Sequence, residues 1–436
     1  MPVKFKVTQI SALQIFQLLR YSTLILIGVV FTKSALSTSD IGQYETFLFL
    51  AGAVSFFWLN GLIQGFLPSS GKSSSSTKSS DLFNVFYLLM VFSILSVLFI
   101  LVFEHSISGL LLKGSEIPFL KYLLIYLLLT SPAGLVEYIY LIRNEGKGML
   151  VYGVISYALM FLLVVTPPVF GLNIEYSLVG LVFSSVFRFV WLLVLLFRHS
   201  SPAFHPAFIR KHMESAAPLV FSMFLSGSGQ YIDGFIISRY FDSATFAVFR
   251  FGARELPLVL LLANAFSASM LPGFADGSKL KSNLEIIKQN SQKLGFWLFP
   301  LSGVLMLISH WAFPVIFNVS FSGSATIFNI YLLLIVSRLV FPQTILIGLQ
   351  KNKAIMWASF LEIVLNVALS ICFLQFWGLP GVAYGTVCAY VFEKLILMVF
   401  VKKICGFGVS AYLNLKQHLL YSLLLAVVFY VVEFII

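Results

Sequence analysis

Charge is what this sequence has least of. Only 10% of its 436 residues are Asp, Glu, Lys or Arg, against roughly 25% in a soluble globular domain. A soluble chain of this length could not cover its surface with so few charges, which excludes a cytosolic enzyme and a disordered chain. Cysteine is also scarce. Cys372, Cys388 and Cys405 are an odd number with no C-x-x-C spacing, which argues against a disulfide framework or a zinc site. The six histidines form no metal pattern; His199, His205 and His212 share one loop at spacings that do not bring them together. No nucleotide-binding loop is present. Gly71-Lys72-Ser73 imitates the end of one, but the motif needs glycine at 66, where Phe66 stands, and a strand before it. No metal and no cofactor is expected, and any driving force must come from an ion gradient, the substrate's gradient or another subunit.

Apolar sequence is abundant instead: 59% of residues are hydrophobic. Runs long enough for a membrane-spanning helix, ~20 residues, lie at 10–32, 44–67, 82–104, 119–142, 149–170, 177–197, 215–238, 245–271, 293–317, 326–349, 354–377, 380–401 and 413–436. They lack the alternation of barrel strands and are twice as long. The predicted fold is an all-α polytopic membrane protein, because a helix satisfies its backbone within its own segment. The formal charge of +11 then sorts by loop. Lys4 and Lys6, Lys72 and Lys78, Arg143 and Lys147, Arg198, Arg210 and Lys211, Lys279, Lys281 and Lys288, Lys351 and Lys353, and Lys402 and Lys403 all fall on one side. Lys33, Lys113 and Arg239 are nearly all that falls on the other. By the positive-inside rule this puts the N-terminus in the cytoplasm. No loop is long enough for a basic nucleic-acid domain, and the short outer loops oppose a glycan polymerase or ligase.

The first six runs lie weakly over the next six. FTKSALSTSDIGQYETFLFL and IISRYFDSATFAVFRFGARE each carry a basic residue, a short polar turn and an aromatic opening the next helix. Six helices per half give parallel repeats about an axis along the membrane normal. The stretch Lys33–Tyr44, the stretch QYIDGFIISRYFDSATFAVFRFGARELPL, Met270-Leu271-Pro272 and the run NVALSICFLQFWGLPGVAYGTVCAY resemble the Wzx-like oligosaccharide flippases of the MATE-related superfamily over residues 10–403. That resemblance implies two six-helix lobes, 1–200 and 215–403, joined by a cytoplasmic linker at 201–214, with an additional apolar helix at 413–436. It also implies alternating-access transport of undecaprenyl-diphosphate-linked oligosaccharide across a bacterial inner membrane. The implied partners are that lipid-linked substrate, membrane lipid and polysaccharide polymerase or assembly proteins. A MATE-type cation-coupled drug or metabolite antiporter is the alternative, and it would want carboxylates in its cavity.

Ionisable groups within the apolar runs are costly in a bilayer and mark function by default. They are Arg20, Arg188, Arg250, Arg254, Arg338, Lys394, Glu137, Asp233, Glu255, Glu362 and Glu393. In an antiparallel hairpin, residues equally far from the turn share a depth. This pairs Asp233 with Arg250, Arg338 with Glu362, and Glu362 with Lys394, so the second half can neutralise its cations locally. Arg20 and Arg188 have only Phe56 and Ala158 opposite them. They are the leading candidates for a substrate phosphate, which guanidinium binds through paired donors; a distant acid or cavity water is the other reading. Arg250, Arg254 and Arg338 are secondary candidates. Polar stripes at helical spacing add Gln17, Asn60, Gln64 and Gln230 as sugar-facing residues, with interhelical hydrogen bonding the other reading. Asp233 and Glu362 are candidates for carrying a coupling H+ or Na+. Pro167, Pro168, Pro257, Pro314 and Pro342 interrupt helices as kinks or hinges.

Overall fold

The computed structural model describes residues 9–70, 80–254, 262–263, 266–267, 270, 274 and 280–435. Every regular element among them is helical. Ten helices are long and apolar enough to cross a membrane, and an eleventh span arises if Gly323–Arg338 and Pro342–Gly348, bent by 46°, are counted as one. These eleven correspond to eleven of the thirteen apolar runs. The run 215–238 lies inside the helix Pro206–Tyr240. The run 245–271 opens as the helix Ser243–Gly252, and most of its remainder, with Glu255, Pro257, Asn264, Leu271 and Pro272, lies outside the described residues.

The chain divides into two compact units. The first takes the described residues of Met1–Tyr231 and Ser238–Ala244. Its helices are α1 (Gln9–Lys33), α2 (Thr38–Ser70), α3 (Asp81–Val102), α4 (Glu104–Leu111), α5 (Leu120–Ala133), α6 (Leu135–Ile142), α7 (Gly146–Val169), α8 (Ile174–His199) and the first part of α9 (Pro206–Tyr240). Ser37 and Asp40 start α2 with reciprocal bonds: the Asp40 amide donates to Ser37 Oγ at 3.1 Å, and the Ser37 amide to Asp40 Oδ2 at 3.0 Å. This is a capping box. Two residues on, Gly42 presses so closely on the Ser243 carbonyl that a Cβ would sit 1.8 Å from it, so the turn needs glycine there. α1 packs chiefly on α7, and α7 on α8. Phe16 lies where a Cβ on Gly153 would fall 2.7 Å from its ring. α5 and α6 form one span interrupted at Gly134, two residues after Pro132.

The second unit takes Ile232–Ile237 and the described residues from Thr245 onward. It contains most of α10 (Ser243–Gly252), then α11 (Leu280–Ile316), α12 (Gly323–Leu332), α13 (Ile335–Arg338), α14 (Pro342–Gly348), α15 (Asn352–Trp377), α16 (Leu379–Phe400) and α17 (Leu415–Phe434). α15 and α16 form a tight hairpin. Gly378 turns it at φ +61°, and a Cβ on Gly381 would sit 2.1 Å from the Phe373 carbonyl oxygen. The Gly-Leu-Pro-Gly sequence is therefore a steric requirement. α17, the thirteenth apolar run, is long enough to span and packs along α11. Gln292 Nε2 donates to Gln417 at 3.0 Å near its start, and Glu433 near its end accepts from Asn329 Nδ2 at 2.6 Å and meets His310 Nε2 at 2.9 Å.

Candidate functional site

In the first unit, α1 and α8 carry Arg20 and Arg188 to one place. Arg20 is exposed and Arg188 half-buried. Arg188 Nε donates to Tyr152 Oη at 3.1 Å, and its guanidinium lies 5.7 Å from the centre of the Tyr157 ring. Phe16 stacks on Tyr152 at 5.9 Å and tilts against Tyr157 at 5.3 Å. Trp191 Nε1 donates to Tyr140 Oη at 3.0 Å, and the Trp191 ring packs 5.5 Å from Tyr152. These aromatics fix the cation by ring contact and one hydrogen bond, without neutralising it. Tyr157 is only 3% exposed, and its hydroxyl has no hydrogen-bond partner among the described residues. A buried hydroxyl left unpaired is costly, so a donor stands ready beside two guanidiniums.

A distant acid, the other reading open for Arg20 and Arg188, is present. Glu137, buried on α6, lies within electrostatic reach of both, and of Arg20 first. The hairpin comparison missed it because it examined only sequence neighbours. α1 rests on α7 rather than on α2, and α6 touches α1, α7 and α8. One carboxylate still leaves the pair with a net positive charge.

Gln17 is half-buried on α1. Asn60 is exposed, and its amide donates back to the Phe56 carbonyl at 2.8 Å. Gln64 and Gln230 are exposed on α2 and α9. None of the four hydrogen-bonds to the arginine pair.

In the second unit, Asp233 is buried at 5% exposure. Its carboxylate accepts from the hydroxyls of Tyr331 and Thr386. Thr386 Oγ1 also lies 3.1 Å from Asn366 Oδ1, and Ser370 Oγ lies 3.0 Å from the same oxygen and 3.2 Å from the Val382 carbonyl. Asn366 Nδ2 donates to Glu362 at 3.2 Å. The amide thus turns its oxygen toward the Asp233 cluster and its nitrogen toward Glu362. Six oxygen-bearing groups converge: one carboxylate, one amide, three hydroxyls and one carbonyl, a donor set suited to a hard cation.

The expected ion pairs of Glu362 do not form. Lys394 Nζ reaches Glu393 at 3.1 Å instead, with Ser359 Oγ 3.5 Å from the same carboxylate. The flexible lysine stem folds back on its own neighbour, which a depth comparison between helices cannot foresee. Arg338 lies over the Tyr390 ring at 4.8 Å and Arg254 over Phe251 at 4.5 Å, while Arg250 is half-buried on α10. These three belong to the second unit. The groups that sequence reasoning did not single out are Tyr152, Tyr157, Tyr331 and Thr386. Tyr157 adjoins Ala158, the position opposite Arg188 on α7, and so was legible from matched depth, whereas Tyr152, six residues earlier, was not.

The family model described as "Polysaccharide biosynthesis protein" matches residues 34–326. No curated protein matches the chain. Among solved structures, the fold is similar to lipid II flippase MurJ in an inward closed conformation, with TM-score 0.71 and 18% identity over 96% of this chain and 92% of that one. It is similar to a mutant of the Vibrio cholerae MATE transporter VcmN, with TM-score 0.56 and 13% identity over 92% and 95%. A multidrug resistance MATE family transporter of the MOP superfamily, in an outward-facing conformation, gives TM-score 0.55 and 11% identity over 96% of each chain. These likenesses are of fold.

Proposed function

The chain belongs to the polysaccharide biosynthesis protein family, and from that premise we propose that it flips undecaprenyl-diphosphate-linked oligosaccharide repeat units across the bacterial inner membrane. The repeat units would be those of O-antigen, capsule or exopolysaccharide. The observation that carries the reading is the Arg20–Arg188 pair: two guanidiniums, one of them exposed, sharing a single carboxylate beside an unpartnered Tyr157 hydroxyl. Buried or half-buried cations in a bilayer are retained when something anionic completes them. A diphosphate offers paired oxygens to two guanidiniums and an acceptor to the tyrosine. The polyprenyl tail stays in lipid while the sugar crosses with the alternation of access. The N-terminus is cytoplasmic in this reading, and the product is handed to a polymerase or assembly machine on the outer face.

Coupling falls to the second unit. The oxygen cluster around Asp233, Asn366, Ser370, Thr386 and the Val382 carbonyl would take Na+ or, on Asp233, a proton. Glu362 holds Asn366 in the orientation this requires. A drug or metabolite antiporter, the alternative, is opposed by the sign of the first unit's charge; a drug-resistance assay in a pump-deficient host separates the two.

The test is export of surface glycan in cells whose flippase gene carries Arg20→Ala or Arg188→Ala. Loss of surface glycan with normal protein levels in the membrane is expected. Normal glycan in both variants would overturn the phosphate role.

A further inference from the structure

We infer that Glu137 is a resident counter-anion that competes with the substrate's phosphate for Arg20 and Arg188 and so governs its release. The inference rests on the phosphate-binding reading of that pair. The interruption at Gly134 separates α6 from α5, and α6 then meets α1, α7 and α8, the helices that carry Arg20, Tyr152, Tyr157 and Arg188. Its register is fixed one turn from Glu137. Tyr140, three residues on and so on the same face, takes the Trp191 hydrogen bond at 3.0 Å and packs 6.3 Å from Tyr152. Tyr152 in turn takes the Arg188 bond. Glu137 is 8% exposed. Its carboxylate makes neither a hydrogen bond nor a direct ion pair among the described residues, so it acts on the guanidiniums through space.

That geometry has a consequence for a carrier. Two cations alone would repel each other in the empty site and would hold a doubly charged diphosphate too well. One carboxylate set back from both relieves the repulsion without closing the site. When the diphosphate arrives, the same carboxylate becomes a like charge beside it and weakens the complex. Passage requires binding strong enough to load and weak enough to leave, the condition that ion pathways also obey. The buried, unbonded position suits this role better than a direct salt bridge would, since a direct bridge would have to be broken before loading.

The experiment titrates inorganic pyrophosphate into the full-length protein in nanodiscs, read by calorimetry. Glu137→Gln is expected to bind about ten-fold tighter than wild type, or more, a change of about 1.4 kcal/mol in binding free energy. Export of glycan by the same variant should slow because release becomes limiting. A damaged fold does not bind its ligand more tightly, so the direction of the change separates competition from a structural role. Unchanged or weaker binding by Glu137→Gln, alongside lost binding in Arg20→Ala and Arg188→Ala, overturns the inference and leaves the phosphate site standing. Wild-type binding in both arginine variants overturns the site itself. Should Glu137→Gln not be recovered folded, Glu137→Ala and Glu137→Ser remove the same charge and carry the same expectation.

Discussion

The two compact units treat buried charge in opposite ways. In the first, cations outnumber the acid: Arg20 and Arg188 share Glu137, which neither touches. In the second, every carboxylate described above is bonded within the protein. Asp233 has Tyr331 and Thr386, Glu362 has Asn366, Glu393 has Lys394, and Glu433 has His310 and Asn329. A satisfied network holds a structure together, because its groups gain little by exchanging partners. An incompletely satisfied one is poised to take a ligand. The contrast supports the proposal that anion binding belongs to the first unit.

The largest expected effect lies at the arginine pair. The double variant Arg20→Ala with Arg188→Ala should lose pyrophosphate binding altogether in calorimetry, since each charge-assisted bond is worth about 1.5–3 kcal/mol. Retained binding would mean the first unit's excess charge is not a site. Next in size, Asp233→Ala removes the buried acceptor of the Tyr331 hydroxyl, while Thr386 keeps the Asn366 oxygen, at about 1–3 kcal/mol. The melting temperature in detergent should fall while pyrophosphate binding persists. Equal loss of both would erase the division of labour between the units. A smaller effect is expected of Tyr152→Phe, which removes only the acceptor of Arg188. Pyrophosphate affinity should drop several-fold, in line with a net hydrogen bond of about 1 kcal/mol, with no change in thermal stability beyond that order.

The smallest effect concerns pH and lies at His212, outside the apolar run 215–238. The imidazole packs against Phe208 and Phe66, and its Nε2 has no partner among the described residues. Burial pushes its pKa below the ordinary histidine value, and the bond to the Leu62 backbone only partly opposes this. The unfolded chain therefore takes up the proton first. His212's contribution is fully present above about pH 6.5, the unfolded value, and is lost as pH falls below it. Thermal melts across that range should show this decline in wild type and a weaker one in His212→Phe. Identical pH profiles would remove His212 from the account.

Much of this was legible in the sequence. The apolar runs found their helices because a bilayer admits few alternatives, and the Gly378–Gly381 turn followed from its residues. Arg20 and Arg188 stood out as cations without a hairpin acid. Glu137 escaped because chain order does not reveal which helix lies beside which: α1 lies on α7, and α6 is reached only after the interruption at Gly134. The role of Asn366 was equally hidden, since one amide serving Glu362 with its nitrogen and the Asp233 cluster with its oxygen is a matter of side-chain orientation. Lys394 was assigned the wrong acid for the same reason. The prolines divided by context. Pro167, Pro168 and Pro314 sit within continuous helices, Pro342 starts a helix after a 46° bend, and Pro257 lies outside the described residues.

On the proposed function, the Arg20–Arg188 pair carries a lipid-linked diphosphate across the bilayer. The most direct measurement reconstitutes the purified protein in liposomes with a fluorophore-tagged undecaprenyl-diphosphate disaccharide. It then follows how much of the tag becomes accessible to a membrane-impermeant quencher. Wild-type protein should equalise the tag between leaflets, and the double arginine variant should leave it where protein-free liposomes do. Equal rates from wild type and the double variant would contradict the account.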